Sequence, residues 1–222
     1  MKIAIIQAIL IVLAPCFTAT GQEKSHFFSP DKEQVFYGGF TAGGNFSTVD
    51  GDNYGGYKKA GLVAGGTVYV RLLPKLLTNV ELLYSMKGSR GVALKNSSYT
   101  GDFFERYWLD LNYVEIPLML HYTFTPRWHL GAGAAYAQLI NAKEEIYTDQ
   151  PVTIDPATTT FNSTDINFVI GGGWQIGDGW FLMGRYQRSL NSIRKPQNIP
   201  IWQNSFRQFN DLFSLRLMYL ID

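Results

Sequence analysis

Three histidines are the side chains best suited to move protons or hold a metal near neutral pH, and their placement limits what they can do. His26 lies close to the N-terminus, while His121 and His129 flank a short Thr125-Pro126-Arg127 stretch. No third ligand stands at a spacing that matches this pair, so a zinc-type site is not expected. Nor does a His-x-Ser pair occur, and acyl transfer needs a nucleophile held beside its base. The two histidines are read as polar residues of the turn region. The one cysteine, Cys16, cannot form an internal disulfide or a cysteine-rich metal site. Glycine is abundant, with 22 residues, yet it never falls into G-x-x-x-x-G-K-[ST]. Gly171-Gly172-Gly173 runs into Trp174 within an apolar alternation rather than into a helix. No cofactor is expected, and the chain is read as a non-enzyme.

The charged residues that remain must be positioned by strands. The chain is 46% hydrophobic and 15% aromatic, yet its mean hydropathy is close to zero. Apolar residues are therefore interleaved with polar ones. Alternation of period two gives eight strands, at 34–46, 58–71, 76–87, 110–124, 128–141, 165–176, 180–190 and 210–221. Most exceed the five or six residues usual in soluble sheets and reach the 9 to 11 that a tilted transmembrane strand requires.

Their connections alternate in length. Leu72-Leu73-Pro74-Lys75, Thr125-Pro126-Arg127 and Gly177-Asp178-Gly179 are tight turns. The stretches 47–57, 88–109, 142–164 and 191–209 are read as long loops. Short turns at one end and long loops at the other are the pattern of outer-membrane barrels, with the short side in the periplasm. The expected fold is all-β, an eight-stranded antiparallel up-and-down transmembrane barrel.

Alternation also assigns faces. Val114, Ile116, Leu118, Leu120 and Tyr122 share one face, as do Phe213, Leu215, Leu217, Tyr219 and Ile221, and Val80, Leu82, Tyr84 and Met86. These are expected to look outward. Trp128, Tyr136, Trp174, Trp180, Tyr186 and Tyr219 suit the interfacial girdles of such a barrel. The opposite faces carry Glu81, Glu115, Arg185 and Arg216. Opposite charges enclosed in a narrow barrel should pair, because an unpaired buried charge is strongly unfavourable. An ion-pair network filling the lumen is expected, with a proton or ion path as the functional alternative. Interior glycines such as Gly43-Gly44, Gly65-Gly66 and Gly131 with Gly133 suit a narrow, strongly curved sheet.

The N-terminus carries a different signal. Lys2 precedes an apolar run from Ile3 to Ala14, Pro15 breaks it, and Ala19-Thr20-Gly21 supplies a small-x-small pattern before Gln22. The expected organisation is a signal peptide at 1–21, a periplasmic tail at 22–33 and the barrel at 34–222. A lipoprotein signal is the rival reading, since Leu13-Ala14-Pro15-Cys16 approaches the lipidation pattern, from which its proline departs. Cleavage would remove Lys2 from the 19 basic residues and none of the 18 acids. The balanced charge that results excludes a nucleic-acid binder.

Tyr113-Val114-Glu115-Ile116-Pro117-Leu118-Met119-Leu120 resembles the Y-[LV]-E-I-P-L-L-L strand of the PorT-like outer-membrane β-barrel proteins of Bacteroidota. Gly38-Gly39-Phe40, Gly43-Gly44-Asn45 and Gly171-Gly172-Gly173-Trp174 fit the same pattern. The resemblance implies an outer-membrane location, outer-membrane lipids as surroundings and insertion by the barrel-assembly machinery. The namesake's association with protein secretion is not carried over.

The long loops are the expected working surface. Tyr99, Phe103, Phe104, Tyr107 and Trp108 cluster with Asp102, Glu105 and Arg106, a composition suited to an extracellular or envelope protein partner or a polysaccharide. They can equally pack onto the rim and close it. A membrane-embedded lipid-modifying enzyme and a soluble lipocalin-like ligand-binding barrel are the alternative functions.

Overall fold

The computed structural model describes residues 27–29, 33–97, 101–148, 160–195 and 207–221. The segment 1–21 lies outside them. Eight antiparallel strands form a closed ring: β1 (Phe36–Asp50), β2 (Lys59–Leu73), β3 (Leu76–Ser97), β4 (Gly101–Thr125), β5 (Trp128–Thr148), β6 (Thr164–Gln175), β7 (Trp180–Ser189) and β8 (Phe209–Ile221). Each strand pairs with its sequence neighbours, and β1 closes on β8 in a register running from Gly38 opposite Ile221 to Asp50 opposite Phe209. Closure leaves no free sheet edge, which is what a sheet needs where no water can satisfy its backbone.

Alternation fixes the two faces as the residue types require. Ile116, Leu118, Leu120 and Tyr122 on β4 and Leu215, Leu217, Tyr219 and Ile221 on β8 are exposed, while Glu115, Met119, His121, Arg216 and Met218 between them are buried. The outside is therefore an apolar belt and the inside is polar. Trp128 stacks on Trp174 (5.4 Å, 6°) and Trp180 packs on Tyr219 (4.8 Å) near the short turns. Tyr186 against Phe213 (5.0 Å) stands toward the other end. Aromatic rings thus border the belt at two levels, where an amphipathic ring is most stable.

Pro117 interrupts one ladder. β3 and β4 pair through Val80–Leu118 and Leu83–Glu115, with no partnering at the two positions between. Proline has no N–H to donate, and the gap falls beside Glu81.

Within residues 88–109, read as a loop, the described residues correct to paired strand. β3 continues to Ser97 and β4 begins at Gly101, and β5 likewise runs on to Thr148. These three strands have 22, 25 and 21 residues, about twice what a bilayer crossing needs. Together they raise a three-stranded sheet past the belt. The pairing persists while the outward residue types change: Leu82 and Tyr84 give way to Arg90, and Val114 and Ile116 to Asp110. A pattern sought as apolar-out alternation ends where the surroundings stop being apolar, although the strand does not.

Candidate functional site

Buried side chains occupy the lumen at both ends, and its middle is ionic. Glu81 on β3 is 2% exposed and lies between two guanidiniums. Arg185 on β7 approaches both carboxylate oxygens at 2.9 Å, and Arg216 on β8 donates to Oε2 at 3.2 Å. Asn79 adds a bond from Nδ2 to Oε1 at 3.0 Å. Glu115 stands apart from this cluster. Its partner is Lys87, whose Nζ lies 2.6 Å from Oε1, with Gln187 Nε2 at 3.3 Å from both oxygens. Of the four charged residues singled out in the sequence, the structure therefore brings three together and gives the fourth to Lys87. Lys87 is on the inward phase of β3, which alternation shows, but which carboxylate it meets depends on register. A third level holds Asp165, which accepts from Ser189 Oγ (2.8 Å) and Asn210 Nδ2 (3.0 Å). Nothing in the sequence ties Asp165 to the other two levels. Glu81 and Glu115 are thus paired with Arg185, Arg216 and Lys87, which offsets the cost of burying their charges, while Asp165 is held by neutral donors alone.

At the short-turn end the lumen is closed by the chain's own N-terminal segment. Phe27 and Phe28 are buried among Tyr37, Tyr69, Leu77, Phe181, Met183, Met218 and Leu220. The Phe28 ring meets those of Tyr37 (5.5 Å), Tyr69 (5.4 Å), His129 (5.2 Å) and Phe181 (5.2 Å). Arg71 fastens the segment, donating to Ser29 O (2.9 Å), Gln34 O (3.2 Å) and the Tyr37 hydroxyl (2.6 Å). Residues 27–29 of the stretch read as a periplasmic tail are therefore a stopper.

The long-loop end is closed differently. Tyr54, from the β1–β2 connection, stacks on Tyr107 (4.4 Å, 5°). Any side chain at Gly91 would collide with the Tyr54 ring. Tyr107 donates to Glu144 Oε1 (2.6 Å), and the other oxygen of that carboxylate holds the buried Arg194 at 2.8 Å. Val49, Leu109, Leu111 and Ile193 complete the lid.

Tyr107 is accordingly corrected from a partner-facing residue to a fully buried one: its inward phase on β4 turns it over the lumen. Trp108, one residue on, faces outward and is 38% exposed. It packs against Tyr147 (5.5 Å) and under Arg90 (5.2 Å). Arg90 also clamps Asp110 with two bonds of 2.7 and 2.9 Å. Tyr99 lies outside the described residues. Phe103 and Phe104 belong to β4, but their side chains lie outside what is described.

The lid contains one acid whose state matters. Asp52 Oδ1 accepts from the Tyr54 amide at 2.8 Å, and burial pushes its carboxyl up to about 6 from 3.8. A raised carboxyl favours the neutral form in the folded loop. Ionisation therefore imposes a penalty that is absent below pH 3.8 and grows until pH about 6. Backbone amides of residues 51–58 should exchange with solvent more readily at pH 8 than at pH 5, once intrinsic exchange rates are corrected. Asp52→Asn should remove the difference.

An apolar belt around a closed ring with a polar interior defines a transmembrane β-barrel. The chain belongs to the family described as outer membrane protein beta-barrel domain, whose model matches residues 32–195, and it is an outer-membrane protein. Among solved structures it is similar to Ail, the attachment invasion locus protein of Yersinia pestis, at 11% identity over 85% of this chain and 100% of that one (TM-score 0.45). It is also similar to Neisserial surface protein A, at 11% identity over 83% and 96% (TM-score 0.41). OprG from Pseudomonas aeruginosa is similar at 11% identity over 84% and 94% (TM-score 0.34). The sequence matches no curated protein.

Proposed function

We propose that this chain is a sealed outer-membrane barrel that works through its cell-surface face, as an adhesion, envelope-assembly or secretion-accessory component, and that it neither conducts nor catalyses. The N-terminus and short turns lie in the periplasm on this reading, and outer-membrane lipids surround the belt. The resemblance of Tyr113 to Leu120 to the PorT-like barrels of Bacteroidota supports that placement. The observation that carries the proposal is the sheet raised by β3, β4 and β5, whose inner face is spent on the lid and whose outer face offers Arg90, Trp108 and Tyr147. Aromatic and arginine side chains are the types most often found at the centre of protein contacts. A sealed interior supports the second half of the reading, since open aqueous channels need about 16 strands.

Deletion and complementation test it. A chain with residues 91–106 replaced by a two-residue turn, and with Arg90, Trp108 and Tyr147 changed to alanine, should still insert and still migrate differently on a gel before and after boiling. It should fail to restore whatever envelope or adhesion defect the deletion causes, and the intact chain should give no steady conductance in planar bilayers. Full complementation by the shortened chain would overturn the proposal, as would a lipid A profile that changes on deletion and is restored by the shortened chain.

A further inference from the structure

The lumen's short-turn end holds polar atoms that the ionic column does not use. His121 on β4 and His129 on β5 are buried, 1% and 0% exposed, with ring centroids 5.2 Å apart. Among the described residues, His121 Nδ1, both ring nitrogens of His129 and the Tyr69 hydroxyl have no hydrogen-bond partner. Buried polar atoms without partners are rare in folded proteins, and each needs a reason such as a bound ion or water.

The hydrogen bonds next to the pair fix the chemistry of one ring. Asn79 directs Nδ2 to the Glu81 carboxylate (3.0 Å), so its Oδ1 faces His121 Nε2, also at 3.0 Å. An amide oxygen only accepts. The neutral His121 ring must therefore carry its proton on Nε2, which leaves Nδ1 a bare lone pair. This is how a metal-binding histidine is commonly held, by an outer partner on the nitrogen that does not bind.

A third donor comes from β7. His129 is opposite Gly173 on β6, and Gly173 is opposite Met183 on β7. With no side chain between them, His129 Nε2 and Met183 Sδ both lean over Gly173, where a Cβ would collide with each. His121 stands opposite Gly131, two residues along β5 from His129, and its Nδ1 leans over that glycine, so the three donors gather over neighbouring glycines of β5 and β6 through strand register that sequence spacing does not show.

We propose that His121, His129 and Met183 form a binding site for a monovalent copper ion at the short-turn end of the lumen. Two neutral imidazoles and a thioether are soft or borderline donors, and thioethers select Cu+ among the common metals. The ion's charge supports the same choice. Glu81 is outnumbered by Arg185 and Arg216 just above the site, so a divalent cation meets twice the repulsion that a monovalent one does. Phe28, whose ring lies 5.2 Å from that of His129, covers the site from below. The stopper is thus also the cover of the copper pocket.

The test is competition for Cu+ held by bicinchoninate, under anaerobic reducing conditions, with the full chain in detergent and free of any histidine tag. The wild type should withdraw one Cu+ per chain. His129→Gln and Met183→Leu should each weaken binding by at least about tenfold, since losing even an outer partner commonly costs ten- to hundredfold. Met218→Leu, in the same apolar cluster, should leave binding unchanged. Each variant's shift on boiling shows whether it has folded, and His121→Gln replaces any that has not. The proposal is overturned if the wild type withdraws no copper, in which case water fills the pocket. It is equally overturned if the His121→Gln/His129→Gln double variant binds as tightly as wild type, or if Zn2+ binds more tightly than Cu+ and is indifferent to Met183→Leu.

Discussion

Replacing Glu81 with leucine is expected to destabilise the folded barrel by about 3–5 kcal/mol or more, the usual cost of removing one member of a buried ion pair. Among the described residues the substitution removes the only carboxylate paired with Arg185 and Arg216, leaving two guanidiniums side by side in a low-dielectric interior. Arg185→Met should cost less, because Arg216 and Asn79 still hold the carboxylate. Exchanging all three charges for apolar residues of similar volume should be closer to neutral, since it removes the desolvation cost along with the attraction. Reversible urea unfolding in lipid vesicles, followed by tryptophan fluorescence, measures all three. A loss under about 1 kcal/mol for Glu81→Leu would mean that water reaches the arginines.

The second large effect is expected on the other face. Leu217 lies in the apolar belt between Tyr219 and Phe213, and it pairs with Leu182 and Ala42 on the neighbouring strands. Leu217→Arg should cost about 2–4 kcal/mol, the penalty of an arginine near the bilayer midplane on a barrel's outer face. The same substitution at Asn141, outward-facing on β5 where the sheet leaves the belt, should cost about 0–1 kcal/mol. The same unfolding experiment compares them, and equal costs at the two positions would deny that the belt meets hydrocarbon.

The parts of the fold that were legible in the amino-acid sequence are those governed by the belt. Ile116, Leu118 and Leu120 alternate with Glu115, Met119 and His121 because neighbouring residues of a strand meet opposite surroundings. The tight turns at Pro74, Pro126 and Gly177 to Gly179 announce themselves by residue type. What escaped was set by surroundings that alternation does not record. Beyond Lys87 the outward neighbours are water rather than lipid, so the continuing strand looked like a loop, and Tyr107 looked like a surface residue. Glu81 and the two arginines could be assigned to one face, but a shared face does not give height along the axis. That height depends on register around the whole ring, and it is what gives Glu115 to Lys87. Phe27 and Phe28 carry no strand signal at all. Their role follows only from the hollow that Tyr37, Tyr69 and Phe181 leave at the short-turn end.

The central claim is that the apolar residues of each strand meet lipid and the charged ones are enclosed. Spin labels placed one at a time from position 115 to position 121 on β4 test it most directly, through their accessibility to oxygen dissolved in the bilayer and to a water-soluble nickel chelate. The account predicts a period of two, with 116, 118 and 120 open to oxygen and closed to nickel, and with 115, 117, 119 and 121 closed to both. Oxygen reaching the odd positions, or nickel reaching the even ones, would contradict it.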